Sequence, residues 1–115
     1  MWIYSDIGFF SIVQKDDYGT LTVRSRVRQD LNRFKKLSPS LKDHEIIESV
    51  DSDYRYRLIA DKTLIMDCMD ELVANIKYEN FKEEIGYTEP LRVPLYSAIW
   101  GITMRIEELD ISEEE

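Results

Sequence analysis

Thr20–Leu37 reads TLTVRSRVRQDLNRFKKL, and its pattern changes period part-way along. Through Arg26, apolar and polar residues alternate, as in a strand with one buried face. Beyond it, Val27, Leu31, Phe34 and Leu37 fall at i, i+4, i+7 and i+10, a spacing that a helix gathers into one stripe. A strand feeding directly into a helix implies mixed α and β structure. The neighbouring segments decide which kind.

Upstream, GFFSIVQK (Gly8–Lys15) is aromatic and β-branched and reads as a strand. DDYG (Asp16–Gly19) reads as the hairpin connection to Thr20–Arg26, with Gly19 free to take positive φ. Whether MWIYS adds a separate short strand is left open by so short a run. Downstream, LSPSLKDH ends the first helix, because Pro39 cannot continue it. EIIESV (Glu45–Val50) and DYRYRLIA (Asp53–Ala60) read as a second hairpin across the turn DSD. A helix over about Lys62–Ile76 follows, with Asp61 as N-cap and Ile65, Cys68, Met69, Leu72 and Ile76 on its apolar stripe. YENFKEEIGY suggests a short helix or turn pinned to the core by Tyr78 and Phe81. A last helix from Pro94 carries Tyr96, Ile99, Trp100, Thr103 and Ile106 on one stripe.

The order β–β–α–β–β–α predicts an α+β fold. It has a mainly antiparallel sheet of about four strands, arranged as two ββα units, with helices packed on one face. One domain over residues 1–106 and an acidic C-terminal tail over 107–115 are expected. A chain of 115 residues is long enough to bury a core without metal or disulfide staples.

Side-chain direction alternates along a strand. On that rule Arg24 and Arg26 share one face of their strand, and Arg55 and Arg57 share one face of theirs. With helices on the other side, all four emerge together on the uncovered face. Tyr54 and Tyr56 would then point away from them. This arginine ladder has two readings. It is the wet side of a sheet, pairing with Glu45, Glu48, Asp53 or Asp61 for roughly 0–1 kcal/mol each. Or it is a platform for phosphates or carboxylates, because guanidinium is a planar bidentate fork. The helix RVRQDLNRFKKL adds Arg28, Arg33, Lys35 and Lys36 nearby in sequence. With the tyrosines on the far face, base stacking is disfavoured, since stacking platforms place aromatic and basic groups together.

The net charge of −8 argues against nonspecific DNA binding. Residues 1–58 sum to +1 and residues 59–115 to −9, so the acidity belongs to the second half. Asp67, Asp70, Glu71, Glu83 and Glu84, with Glu79, Glu107, Glu108 and Asp110, form a candidate acidic face for a basic partner. His44 is the single histidine and Cys68 the single cysteine, so no zinc set and no Ser–His–Asp motif is expected. The four glycines are scattered and make no phosphate loop. No catalytic residue, cofactor or metal is expected. The lone cysteine, the absence of a leader-like N-terminus and the short apolar runs predict a cytoplasmic protein with no membrane role. Trp2, Tyr96 and Trp100 are expected in the core; any left exposed would anchor a partner or a homodimer.

Taken together, GFFSIVQK, LTVRSRVRQDL, DYRYR, YENFK and YSAIW resemble a group of short bacterial proteins with no assigned function. The resemblance runs from Trp2 to about Arg105. It implies a small bacterial or mobile-element protein with the ladder on a shared face, and it transfers no catalytic residue. The expected function is therefore protein binding by a non-enzymatic module. The alternative is nucleic-acid binding through Arg24, Arg26, Arg28, Arg55 and Arg57.

Overall fold

A computed structural model describes residues 1–15 and 18–110. The first hairpin begins earlier than the aromatic run suggests. Strand β1 (Trp2–Ser5) pairs antiparallel with β2 (Gly8–Val13), with Ser5 opposite Gly8. β2 then pairs with β3 (Thr20–Ser25), Ser11 opposite Arg24. Helix α1 (Arg28–Lys35) follows where the period changes. A single turn of 3-10 helix, Pro39–Leu41, is capped by the Ser38 hydroxyl.

The second hairpin is shorter than expected, because only Ile47–Glu48 forms strand β4. Its partner β5 is Tyr56–Asp61. The sheet therefore has five strands in the order β1-β2-β3-β5-β4, all pairs antiparallel. Helix α2 (Lys62–Ala74) leaves β5 without a loop. Asp61 sits at its N-cap position, but its side chain makes no capping bond.

Parity along the strands sorts the side chains. Phe10, Ile12, Val23, Leu58 and Ala60 share one face and pack against Leu31 and Phe34 of α1, Leu41, and Ile65 and Cys68 of α2. Phe10 and Phe34 meet at 5.1 Å between ring centroids. Both helices thus cover one face, as the α+β reading requires. Burial of this face drives the fold, at about 25 cal/mol per Å² of apolar surface removed from water.

Where β3 ends, the ladder needs a substitute. Met1 and Ile12 exchange both backbone hydrogen bonds, so Phe9 directs its N–H away from β1. The chain has already turned into α1 beyond Ser25, leaving that donor without a strand. The carboxylate of Asp30, 2% exposed in the first turn of α1, accepts it at 3.1 Å. Gly8 has positive φ, +148°, and a Cβ there would lie 2.4 Å from Asp30 Cγ. Asp16 and Asp17 of the first hairpin's expected turn lie outside the described residues.

The chain divides into two compact units, Met1–Lys77 and Tyr78–Glu115. The second contains α3 (Phe81–Thr88), a 3-10 turn at Pro90–Arg92, and α4 (Val93–Thr103) running into a 3-10 segment, Met104–Leu109. Asn80 caps α3 by accepting from the Glu83 N–H. Phe81 stacks on Tyr96 at 5.8 Å, and Ile85 is buried. The expected core role of the last helix holds for Tyr96 only: Trp100 is 57% exposed, and Ile106 is exposed as well. Residues 107–109 lie within that 3-10 segment, and residues 111–115 of the expected tail lie outside the described residues.

No helix among the described residues is long and apolar enough to cross a membrane.

Candidate functional site: the open face of the sheet

The face of the sheet opposite α1 and α2 carries Trp2, Tyr4, Phe9, Ser11, Arg24 and Arg57, placed together by the registers of β1, β2, β3 and β5. Arg24 and Arg57 stand directly opposite each other across the β3–β5 ladder. Like charges in that position repel. Each spends one Nη2 donor on a serine hydroxyl, Arg24 on Ser11 and Arg57 on Ser52, both at 2.7 Å. In each the Nε is buried without a hydrogen-bond partner. Neither guanidinium has a carboxylate within ion-pair distance among the described residues. Two positive charges are therefore held side by side on neutral partners.

Tyr54 corrects the reading of the tyrosines. Strict alternation would put it opposite the arginines, but β5 begins only at Tyr56, and the bend at Asp51–Tyr54 resets the parity. Its ring lies 4.5 Å from the Arg24 guanidinium carbon and 4.6 Å from that of Arg26, and 6.3 Å from Phe9. It is 5% exposed, so these cations cover it. Tyr4 stacks on Phe9 at 4.3 Å with the planes 9° apart, and Trp2 meets Phe9 edge-on at 6.5 Å. Trp2, expected in the core, is 68% exposed. Aromatic and cationic groups thus share the open face.

The same bend removes Arg55 from the ladder. Its Nε and Nη2 both donate to Glu48 Oε2, at 3.2 and 2.9 Å. Arg28, at the start of α1, reaches Glu48 Oε1 at 3.3 Å and lies over the Tyr56 ring at 5.0 Å. Glu48 is opposite Tyr56 in the β4–β5 pair, hence on the helix side of the sheet edge. The hydrogen bond from Arg55, ahead of its charge and that of Arg28, holds the Glu48 carboxyl below the usual carboxylate range. The same bond raises Arg55 further. Arg26, exposed beyond the end of β3, donates to the Asp53 carbonyl at 2.8 Å. The predicted ladder of four is in fact a pair, Arg24 and Arg57, flanked by Arg26. Arg55 and Arg28 make a separate clamp on Glu48.

Of the basic helix, Lys35 and Lys36 join Asn32, Ser38, Pro39 and Lys42 around a shallow pocket of about 550 Å³. Lys35 Nζ donates to the His44 carbonyl at 2.6 Å. Arg33 lies 3.8 Å from Asp30. The candidate acidic face is divided between the units. Asp67, Asp70 and Glu71 are exposed on α2, while Glu83 and Glu84 occupy the first turn of α3, where negative charge complements the helix dipole. Among the described residues no cluster of His, Cys, Asp or Glu suits a metal ion. Cys68 is buried in the core, and that burial, with Asp67 a lesser cause, pushes its thiol up to about 11.

Sequence reasoning missed Trp2, Tyr4 and Phe9 as surface groups. The signal was present: Tyr4 and Phe9 fall on the parity of Ser11 and Arg24 once the Met1–Ile12 pairing is known. The class defined by this fold is an α+β protein with an open antiparallel sheet. Comparison of the chain with protein-family models, curated proteins and solved structures found no match.

Proposed function

We propose that the protein is a non-enzymatic, cytoplasmic binding module whose open sheet face takes an acidic segment of a protein partner. The observation that carries this is the Arg24–Arg57 pair: two adjacent guanidiniums with no carboxylate of their own among the described residues, on the face that also carries the exposed Trp2. Arginine and tryptophan dominate protein-binding hot spots, and a partner's carboxylate relieves the repulsion between the two cations. The balance of charge over residues 1–58, only +1, suits a contact with a few acidic side chains better than with a phosphate backbone.

A second reading, a single-stranded nucleic-acid surface, is favoured by one observation. Trp2, Tyr4, Phe9 and Tyr54 lie with Arg24 and Arg26 on one face, the combination that stacking platforms use.

The test is fluorescence anisotropy with two labelled probes, a peptide of alternating Glu and Tyr and an oligo-dT strand, each titrated across salt. Arg57→Gln and Arg24→Gln keep the strands intact and are each expected to weaken peptide binding by about tenfold or more, the worth of a charge-assisted hydrogen bond. Absence of peptide binding by the wild-type protein sinks the first reading. Tight oligo-dT binding that falls steeply with salt, and is lost in the same variants, replaces it with the second.

A further inference from the structure

The end of α1 and the turn after it carry Arg33, Lys35, Lys36 and Lys42, with no carboxylate from Asn32 to Lys42, in a protein of net charge −8. The three lysines line the concavity of about 550 Å³, a volume in the range of small-molecule sites. Its other walls are Asn32, Ser38 and Pro39, so no acidic side chain borders it. Lysines at the end of a helix commonly answer its last carbonyls. Here the backbone does so instead: the carbonyls of Arg33, Phe34 and Lys35 accept from the N–H groups of Lys36, Leu37 and Ser38. Lys36 and Lys42 have no ion pair among the described residues. Lys35 Nζ gives one bond to the His44 carbonyl at 2.6 Å and keeps two N–H groups. Ser38 is 9% exposed; its hydroxyl accepts from the Ser40 N–H at 3.3 Å, and its own proton has no acceptor among the described residues. Three ammonium groups and an unspent, buried hydroxyl donor thus converge with nothing anionic to answer them.

We infer that this pocket binds the phosphate groups of a small phosphorylated molecule. Ammonium is a compact point charge that meets the tetrahedral oxygens of phosphate from several directions, whereas a planar carboxylate is matched by the guanidinium fork. The Ser38 hydroxyl adds a directional donor to a phosphate oxygen. Pro39 and the aliphatic stems of the lysines give the organic part of such a ligand an apolar wall. The pocket belongs to α1 and the 3-10 turn after it, which lie across the sheet from Arg24 and Arg57. The site is therefore independent of the open-face reading and stands whether or not that reading does.

Isothermal titration calorimetry of the full chain tests it, with inorganic pyrophosphate, with citrate as a carboxylate of similar charge, and with oligo-dT as a phosphate backbone. Wild type is expected to bind pyrophosphate one to one, and citrate at least about tenfold more weakly. Lys36→Gln and Lys42→Gln are each expected to weaken pyrophosphate binding by about tenfold. Both lysines are exposed, so thermal melts without ligand should be unchanged and show that the variants fold. The double variant Arg24→Gln/Arg57→Gln is expected to bind pyrophosphate as wild type does. Absence of pyrophosphate binding at millimolar concentration overturns the inference, as does binding that both lysine variants retain in full or that the arginine variant loses. Citrate bound as tightly as pyrophosphate overturns the phosphate assignment. Oligo-dT bound more tightly than pyrophosphate, and released by the same lysine substitutions, overturns the small-molecule assignment in favour of a nucleic acid.

Discussion

Gly8→Ala is the substitution that asks most of the sheet. The new Cβ meets Asp30 Cγ at 2.4 Å and Oδ2 at 2.7 Å, on a backbone whose φ of +148° side chains rarely adopt. Holding an alanine at such an angle costs on the order of 1–3 kcal/mol. Asp30 must also move, which takes its carboxylate from the Phe9 N–H and leaves a buried donor unmet, at about 1–3 kcal/mol more. The sum, roughly 2–6 kcal/mol, is a large part of an ordinary domain's stability. Urea denaturation of wild type, Gly8→Ala, Asp30→Ala and the double variant measures it. The double variant removes the clash, so it should be less destabilised than the two single variants together, a coupling of about 1 kcal/mol or more. A loss under about 1 kcal/mol for Gly8→Ala, or strict additivity in the cycle, would refute the argument that Asp30 and Gly8 are locked together.

Two further outcomes concern titration. Cys68, raised from 9.0 to about 11, keeps its proton in the fold, so its contribution to stability is complete below pH 9 and is lost as pH climbs towards 11. Thermal melts should fall less steeply over that window in Cys68→Ala than in wild type, and thiol reagents should label the native protein only as fast as it opens; rapid labelling at pH 8 would contradict the buried placement. Glu48, held low by Arg55 and then Arg28, should titrate below an ordinary glutamate in a carboxyl NMR titration and return towards normal in Arg55→Gln. The stabilisation from this clamp is present above the ordinary carboxylate range and is lost as pH falls through the lowered value.

The α+β class was legible because the change of period at Val27 and the apolar spacing of α2 report burial directly. Phe10, Val23, Leu31, Phe34, Leu58 and Ile65 all reach the core that those periods imply. What alternation could not convey was the end of a strand. Tyr54 and Arg55 look like the first residues of a strand, yet lie before β5 begins, and the bend there turned a ladder of four arginines into a pair and a clamp. Asp30 was hidden for a different reason. It follows an arginine-rich strand and looks like a solvated helix residue; its burial depends on a donor 21 residues earlier in the chain. The stripe read on α4, Tyr96, Ile99, Trp100, Thr103 and Ile106, splits between burial at Tyr96 and exposure at Trp100 and Ile106, because periodicity does not say whether a stripe meets its own chain or water.

The placement of β3 has a consequence for synthesis. Its partners in β5 lie from 31 residues away, Ser25 to Tyr56, to 41, Thr20 to Asp61. At about 5–20 residues per second, the β3 edge emerges and waits roughly two to eight seconds for its neighbour. During that interval the nascent meander of β1, β2 and β3 presents an unpaired edge with Leu21 and Val23 along it, an invitation to join another ribosome's product. Arg24, and Arg26 just beyond it, interrupt that edge with charge, as gatekeepers do. The pair that faces outward in the finished sheet thus includes a residue that has already kept the chain to itself while half of it was still being made.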